Sequence, residues 1–317
     1  MKKFIINNND AGQRLDKFIN KACKGIPRSM LYKAVRTKKI KLNGGRVSPE
    51  HKLTEGDIIE IYLNDDFFGV QRGNGFLNIK PDVDVVYEDE HILLASKKSG
   101  MLTHADNCEN YNTLINHIKA YLYQKDEYNP KKEQSFAPAL CNRIDRNTQG
   151  IVICAKTAAS LKILNEKIKS RELEKYYLCI CAGNFKAKSG TLINYILKDT
   201  AKNEVRVCAA EASGSKMAVT GYKVLESRGG LAIVEAQIIT GRTHQIRAQL
   251  AYGGHPLLGD GKYGDYELNK KYGHLLNSRG QALCAYKLKF TFKTSAGILD
   301  YLNGKEFEIN AGLKITI

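Results

Sequence analysis

The sequence predicts an α+β protein. A small basic unit of two helices and short strands is followed by a large domain built on a mixed, mainly antiparallel sheet. Three observations carry this. Charge is uneven: residues 1–60 hold 14 Lys and Arg against 6 Asp and Glu, which is half of the net +16 of the whole 317-residue chain. That same stretch contains two segments of helical period followed by short β-rich segments around an Asn-Gly turn. Beyond residue 80, short strand-like segments alternate irregularly with helices and no fixed-period repeat is present, a pattern of α+β rather than of a solenoid or a βαβ array.

Element by element, Arg14 to Ile19 opens a helix with Leu15, Phe18 and Ile19 on one face. Pro27 to Arg36 predicts a second helix, apolar at Met30, Leu31, Ala34 and Val35, with Arg28, Lys33, Arg36 and Lys38 on its rim. A short strand at Ile40–Leu42, a turn at Asn43-Gly44-Gly45 and a strand at Ile58–Tyr62 complete the unit, set at residues 1–63. Residues 64–80 carry three glycines and no clean period, and are expected to form a linker. The large domain is set at 81–317. In it, two short strands flank the turn at Glu88-Asp89-Glu90, and helices are expected at Leu114–Tyr123 and Ala158–Ile168. A buried strand is expected at Ile151–Ala155, a loop at 126–138, and further strands at Tyr176–Cys181, Ala218–Leu225 and Leu231–Ile239.

Composition narrows the partners. An excess of positive charge favours a polyanion: RNA, DNA or an anionic membrane surface. No apolar run is long enough for a membrane span and the N-terminus lacks a signal-peptide pattern, so a cytoplasmic location is expected, with no membrane association. The eight cysteines are scattered and mostly flanked by apolar residues, which points to reduced thiols in a buried setting. No Cys or His spacing closes a tetrahedral zinc site, and no phosphate-loop or dinucleotide fingerprint is present, so neither metal nor nucleotide cofactor is expected.

Three segments place charged groups beside buried strands. In Asn142-Arg143-Ile144-Asp145-Arg146-Asn147-Thr148-Gln149-Gly150, an acid flanked by two arginines runs into the apolar IVICAK. Neighbouring cations favour the ionised carboxylate. Alone, this segment fits a catalytic acid and an ion-paired turn acid equally well. In Thr240-Gly241-Arg242-Thr243-His244-Gln245-Ile246-Arg247, three cationic or potentially cationic groups fall within six residues. They suit an anion, either a phosphate or the Asp145 carboxylate. Thr243 is a candidate helix cap. In Leu173 to Gly183, strand alternation puts Lys175, Tyr177, Cys179 and Cys181 on one face.

Residues 12–62, through RLDKFI, PRSMLYKAVRTKKIKLNG and KLTEGDIIEI, resemble the small S4-like RNA-binding domain. The three charged segments, together with VVYEDEHILLASKKSGMLTH and LCAYKLKF, resemble in order and spacing the pseudouridine synthase family, whose members often carry that same N-terminal domain. The resemblance implies the pseudouridine synthase fold and a monomeric isomerase that acts on uridines of structured RNA without a cofactor. It implies Asp145 as the catalytic carboxylate. Arg242 or Arg247 would hold it ionised, with Arg242 favoured for the direct pair. Tyr177 would be a catalytic residue that lies against the target base and helps remove its C5 proton, Lys175 would support the pocket, and Arg143 would fill the space vacated by a flipped uridine. Arg28, Lys33, Arg36 and Lys38 would meet phosphates. Large-subunit ribosomal RNA is the expected substrate; transfer RNA and a non-catalytic role in ribosome assembly are the alternatives. The chain departs from the family pattern at Asn142 and Cys284, where histidine is usual, at Gln149 in place of serine, and at Lys98 in place of proline. A glycoside hydrolase would also act at a sugar C1′, but it needs two carboxylates and the sequence nominates one.

Overall fold

The computed structural model describes all residues except 24–25, 69–73, 277–279 and 316–317. The helices are α1 (Leu15–Ala22), α2 (Arg28–Arg36), α3 (Leu114–Gln124), α4 (Ala158–Lys169), α5 (Gln245–Tyr252) and α6 (Tyr266–Tyr272). The strands through the first half are β1 (Lys2–Ile5), β2 (Ile40–Leu42), β3 (Ile58–Ile61), β4 (Asp84–Glu88), β5 (Ile92–Lys97), β6 (Ala139–Leu140) and β7 (Gln149–Ala155). Those that follow are β8 (Leu173–Ala182), β9 (Ser189–Asp199), β10 (Glu204–Cys208), β11 (Lys216–Arg228), β12 (Leu231–Ile238), β13 (Leu283–Phe290) and β14 (Glu306–Glu308). No helix among the described residues is long and apolar enough to cross a membrane.

The chain divides into two compact units, the first made of Met1–Asp82, Asn116–Ala139 and Ala155–Lys162. Its three-stranded antiparallel sheet has the order β1-β3-β2. Strand β1 has no sequence forecast, because KKFI is too short and too charged to show alternation. Helix α1 buries Leu15, Phe18 and Ile19 as its period requires, with Asp16 in the first turn, where a carboxylate complements the helix dipole. Helix α2 buries Leu31, Ala34 and Val35. Met30, expected on that apolar face, is instead 36% exposed, one position off the stripe. Phe18 is fully buried and meets Phe4 edge-on at 5.5 Å. Burying such a ring contributes roughly 1.5–3 kcal/mol. Of the expected linker, residues 69–73 lie outside the described residues; Asp65–Phe68 and Asn74–Asn78 form 3-10 turns. The 126–138 segment is a loop, as its prolines predict.

The second unit, Val83–Ile115, Leu140–Cys154 and Ile163–Ile317, is organised by an eleven-stranded sheet of order β10-β9-β11-β12-β8-β13-β7-β5-β4, with β14 on β13 and β6 on β7. The ladders from β10 to β8 and from β8 to β13 are antiparallel, and β13 pairs with β7 in parallel. The apolar run Ile151–Cys154 is buried throughout, as the interior position of β7 demands. The β7–β13 pairing registers Gly150 against Ala285. Gly150 has φ +124°, and a Cβ there would sit 2.3 Å from the Ala285 carbonyl oxygen. Only glycine allows this approach, and it fixes the second residue of β7, five positions after Asp145.

Candidate active site

Asp145 lies in the irregular segment that leads into β7, and several bonds fix the backbone around it. Thr148 N–H donates to the Asp145 carbonyl at 3.1 Å. Gln281 Nε2 donates to Thr148 Oγ1 at 3.0 Å. Lys97, at the end of β5, donates its ammonium protons to the carbonyls of Arg146 (2.8 Å), Lys98 (2.9 Å) and Met101 (2.7 Å). Gly100 N–H and Ser99 Oγ add bonds to the Arg146 and Asn147 carbonyls, each 2.9 Å long. Lys97 is 1% exposed, and burial pushes its ammonium down to about 7, against the pull of the Asp145 charge.

The Asp145 side chain is 28% exposed, and its Oδ2 receives Arg247 Nη1 at 2.8 Å. Arg247 projects from α5, whose residues 245–250 are all buried. Its other edge is gripped by Asp260, Nε to Oδ2 at 2.7 Å and Nη2 to Oδ1 at 2.8 Å. The guanidinium therefore joins two carboxylates, one sealed in the core and one open to the surface. Burial alone would raise the Asp260 carboxyl, but the hydrogen bonds and charge of Arg247 hold it below its ordinary value. Burial would likewise lower Arg247, but its two acidic partners hold it above its ordinary value, so it is a permanent cation. The N–H groups of Lys262 (2.9 Å) and Tyr263 (3.2 Å) complete the shell of Asp260.

The direct pair thus falls to Arg247 and not to Arg242. Arg242 Nε donates to the Met217 carbonyl at 3.0 Å. Thr243 is exposed and does not cap α5; the helix begins after His244, which sits in the left-handed region at φ 52° without a side-chain cap bond. Gln245 holds the turn instead. Its Oε1 accepts from Thr240 Oγ1 (2.8 Å) and Arg242 N–H (3.0 Å), and its Nε2 donates to the Val219 carbonyl (3.0 Å). Arg143 and Arg146, the sequence neighbours of Asp145, are exposed.

Tyr177 on β8 is 6% exposed. Burial, then the nearby Asp145 carboxylate and the Cys284 thiol, push its hydroxyl well above the ordinary tyrosine range. The shift favours the protonated phenol. Lys175 shares its face and is partly buried, and desolvation lowers its ammonium. Cys179 and Cys181, on that face too, bring their sulfurs to 3.5 Å. All eight cysteines are free thiols, five of them buried. Arg28, Lys33, Arg36 and Lys38 are exposed in the first unit, and Arg28 lies over the Tyr32 ring at 5.6 Å.

The sequence reading missed Lys97, Asp260 and Tyr263. Asp260 lies between two glycines and reads as a turn acid; its one signal was an acid following the Arg247 helix. Asn142 Oδ1 accepts from Ile153 N–H at 2.8 Å, and Gln149 Nε2 donates to the Ala311 carbonyl at 2.6 Å, so both departures are absorbed as backbone ties. Burial lifts the Cys284 thiol to about 12, opposed by a hydrogen bond with Gln149. A shallow cavity of about 590 Å³ in the same unit, lined by Gly183, Gly230, Asp265 and Lys271, contains none of these groups.

The chain is similar to known proteins over most of its length. Residues 91–252 match the model of a family described as RNA pseudouridylate synthase, and residues 13–59 match the S4 domain. The chain is 31% identical over 276 residues to the ribosomal large subunit pseudouridine synthase C of Haemophilus ducreyi, covering 84% of this chain and 81% of that one. It is 32% identical over 309 residues to an uncharacterized RNA pseudouridine synthase of Mycoplasma capricolum, with 96% of each chain covered. In fold it is similar to human RNA pseudouridylate synthase domain containing 4, with TM-score 0.54 and 20% identity over 72% of this chain and 88% of that one.

Proposed function

The chain belongs to the RNA pseudouridylate synthase family, and from that premise we propose that it isomerises specific uridines of large-subunit ribosomal RNA, as a cytoplasmic monomer, with Asp145 as the catalytic carboxylate. The observation that carries the residue assignment is the Asp145–Arg247–Asp260 chain. A partly open carboxylate is tethered at 2.8 Å to an arginine whose remaining edge is locked by a buried acid. Such an arrangement keeps a carboxylate charged and aimed, which suits a group that attacks C1′ or takes a proton at the ribose.

The reaction breaks the C1′–N1 bond, turns the uracil and rejoins it through C5, with no net oxidation or hydrolysis. Tyr177, held as a neutral phenol, packs beside the base and is not a general base at neutral pH. Lys175 borders the same pocket. Arg143, exposed two residues before the acid, is free to enter the stack in place of the flipped nucleotide. Arg28, Lys33, Arg36 and Lys38 supply phosphate contacts from the S4 domain. The relatives named for the large ribosomal subunit support the substrate assignment.

The test is tritium release from C5-labelled uridine in ribosomal RNA. Asp145→Asn is expected to abolish release while RNA affinity and the unfolding transition stay within twofold and error, respectively. Full activity in this variant would sink the assignment. Pseudouridine mapping of total RNA with and without the protein is expected to show loss confined to large-subunit positions; a loss confined to transfer RNA would move the substrate.

A further inference from the structure

Two groups converge on Asp145 Oδ2. Arg247 Nη1 is bonded to it, and His244 Nε2 stands 3.9 Å away, beyond hydrogen-bond reach. The other ring nitrogen of His244, Nδ1, is 2.9 Å from the Tyr263 hydroxyl. That hydroxyl already accepts the Val205 N–H at 2.8 Å. Its own proton needs an acceptor in a half-buried site, and Nδ1 is placed to be that acceptor. Nδ1 then carries no proton, and the imidazole proton resides on Nε2, the nitrogen that faces the carboxylate. Tyr263 is itself fixed from three sides. Its N–H donates to Asp260 Oδ1 at 3.2 Å, the Arg247 guanidinium lies 5.2 Å over its ring, and its ring meets His244 edge-on at 5.6 Å.

We propose that Tyr263 is a positioning residue that holds His244 as the Nε2–H tautomer, so that His244 offers an uncharged N–H donor beside Asp145 to an oxygen of the target uridine. The inference rests on the reading of Asp145 as the catalytic carboxylate. The charged groups facing the imidazole are Asp145, Arg247, Asp260 and Lys262. Burial, with Arg247 and Lys262, lowers its affinity for a second proton, and Asp145 and Asp260 oppose this. The left-handed backbone at His244 serves the same end, because it turns the side chain toward the carboxylate at the cost of an ordinary helix cap.

The test uses full-length protein labelled with 15N-histidine. The His244 signals are assigned by their loss in His244→Gln. Near pH 7.5, Nδ1 is expected in the unprotonated range and Nε2 in the protonated range. An Nδ1–H tautomer or an imidazolium in the wild type overturns the proposal. Tyr263→Phe is expected to mix the two tautomers and to lower kcat roughly tenfold, the worth of one hydrogen bond at the site. KM for RNA should change by less than about twofold. An unshifted tautomer, or an unchanged kcat, overturns the proposal. Should Tyr263→Phe fail to fold, the wild-type tautomer and the kcat of His244→Gln decide it: that kcat is expected to fall at unchanged KM. Activity in Asp145→Asn would instead remove the underlying functional reading, and the tautomer measurement would remain independent of it.

Discussion

Removing Asp260 tests the arrangement at its most buried point. The Asp260 side chain has no exposed surface, and Arg247 is 7% exposed. Asp260→Ala deletes two charge-assisted bonds of 2.7 and 2.8 Å and takes the acceptor from two backbone N–H groups. Breaking a buried pair by removing one partner costs about 3–5 kcal/mol. Asp145 still neutralises part of the stranded guanidinium, which places the loss at the low end, about 3 kcal/mol. With a urea m-value of about 2–3 kcal/mol/M, the midpoint of the second unit's transition should fall by roughly 1–1.5 M. Tyrosine fluorescence can follow it, since the chain has no tryptophan. The paired replacement Arg247→Met with Asp260→Leu should recover most of that stability without activity, because apolar groups of similar size substitute well for buried ion pairs. A midpoint drop under about 0.3 M for Asp260→Ala would refute the view that this pair anchors the site.

Other expectations concern separate parts of the molecule. Tyr177→Phe should leave substrate affinity intact and lower the isomerisation rate less than about tenfold, on the proposal that the buried hydroxyl does not act as a base; a loss of a thousandfold would assign it proton transfer. The triple replacement of Arg28, Lys33 and Arg36 by Ala should reduce the slope of log affinity against log salt by about 3, one per phosphate contact. An unchanged slope would mean that this surface does not touch RNA. The hydrogen bond from Lys167 at 2.8 Å, followed by the Lys293 N–H, holds the Glu172 carboxyl down to about 2. Because the folded value lies below the unfolded one, the stabilisation is present above about pH 4.3 and is lost as pH falls toward 2. Urea midpoints of wild type and Glu172→Gln should therefore differ at pH 7 and converge near pH 2; a constant gap would contradict the pairing.

The parts of the fold that the sequence shows are those where period and burial agree. Helix α1 and strand β7 display their buried faces directly, and the acid before β7 stands out against an apolar run. The choice between Arg242 and Arg247 was not legible, because it depends on helix phase. A left-handed His244 delays the start of α5 and turns the two arginines to different sides. Strand β9 does not show in the sequence because an outward position carries an apolar residue, Ile193 being 60% exposed, so alternation is blurred. Asp260 was invisible as a partner because glycine-flanked acids are ordinary turn residues, and its role depends on a residue 13 positions earlier. Met30 misled for the opposite reason: its residue type suits a core, while its position on α2 faces water.

The place of β13 in the sheet has a consequence for biosynthesis. Residues 283–290 lie between β8 and β7, near the middle of the strand order, although twelve strands precede them in the chain. Until residue 290 has left the ribosome, β8 lacks one neighbour and the Gly150–Ala285 contact that frames the Asp145 segment does not exist. Such distant pairing slows closure of the sheet and leaves strand edges available to chaperones in the meantime. A growing chain therefore holds the residues around Asp145 before it holds the strand pairing that frames them.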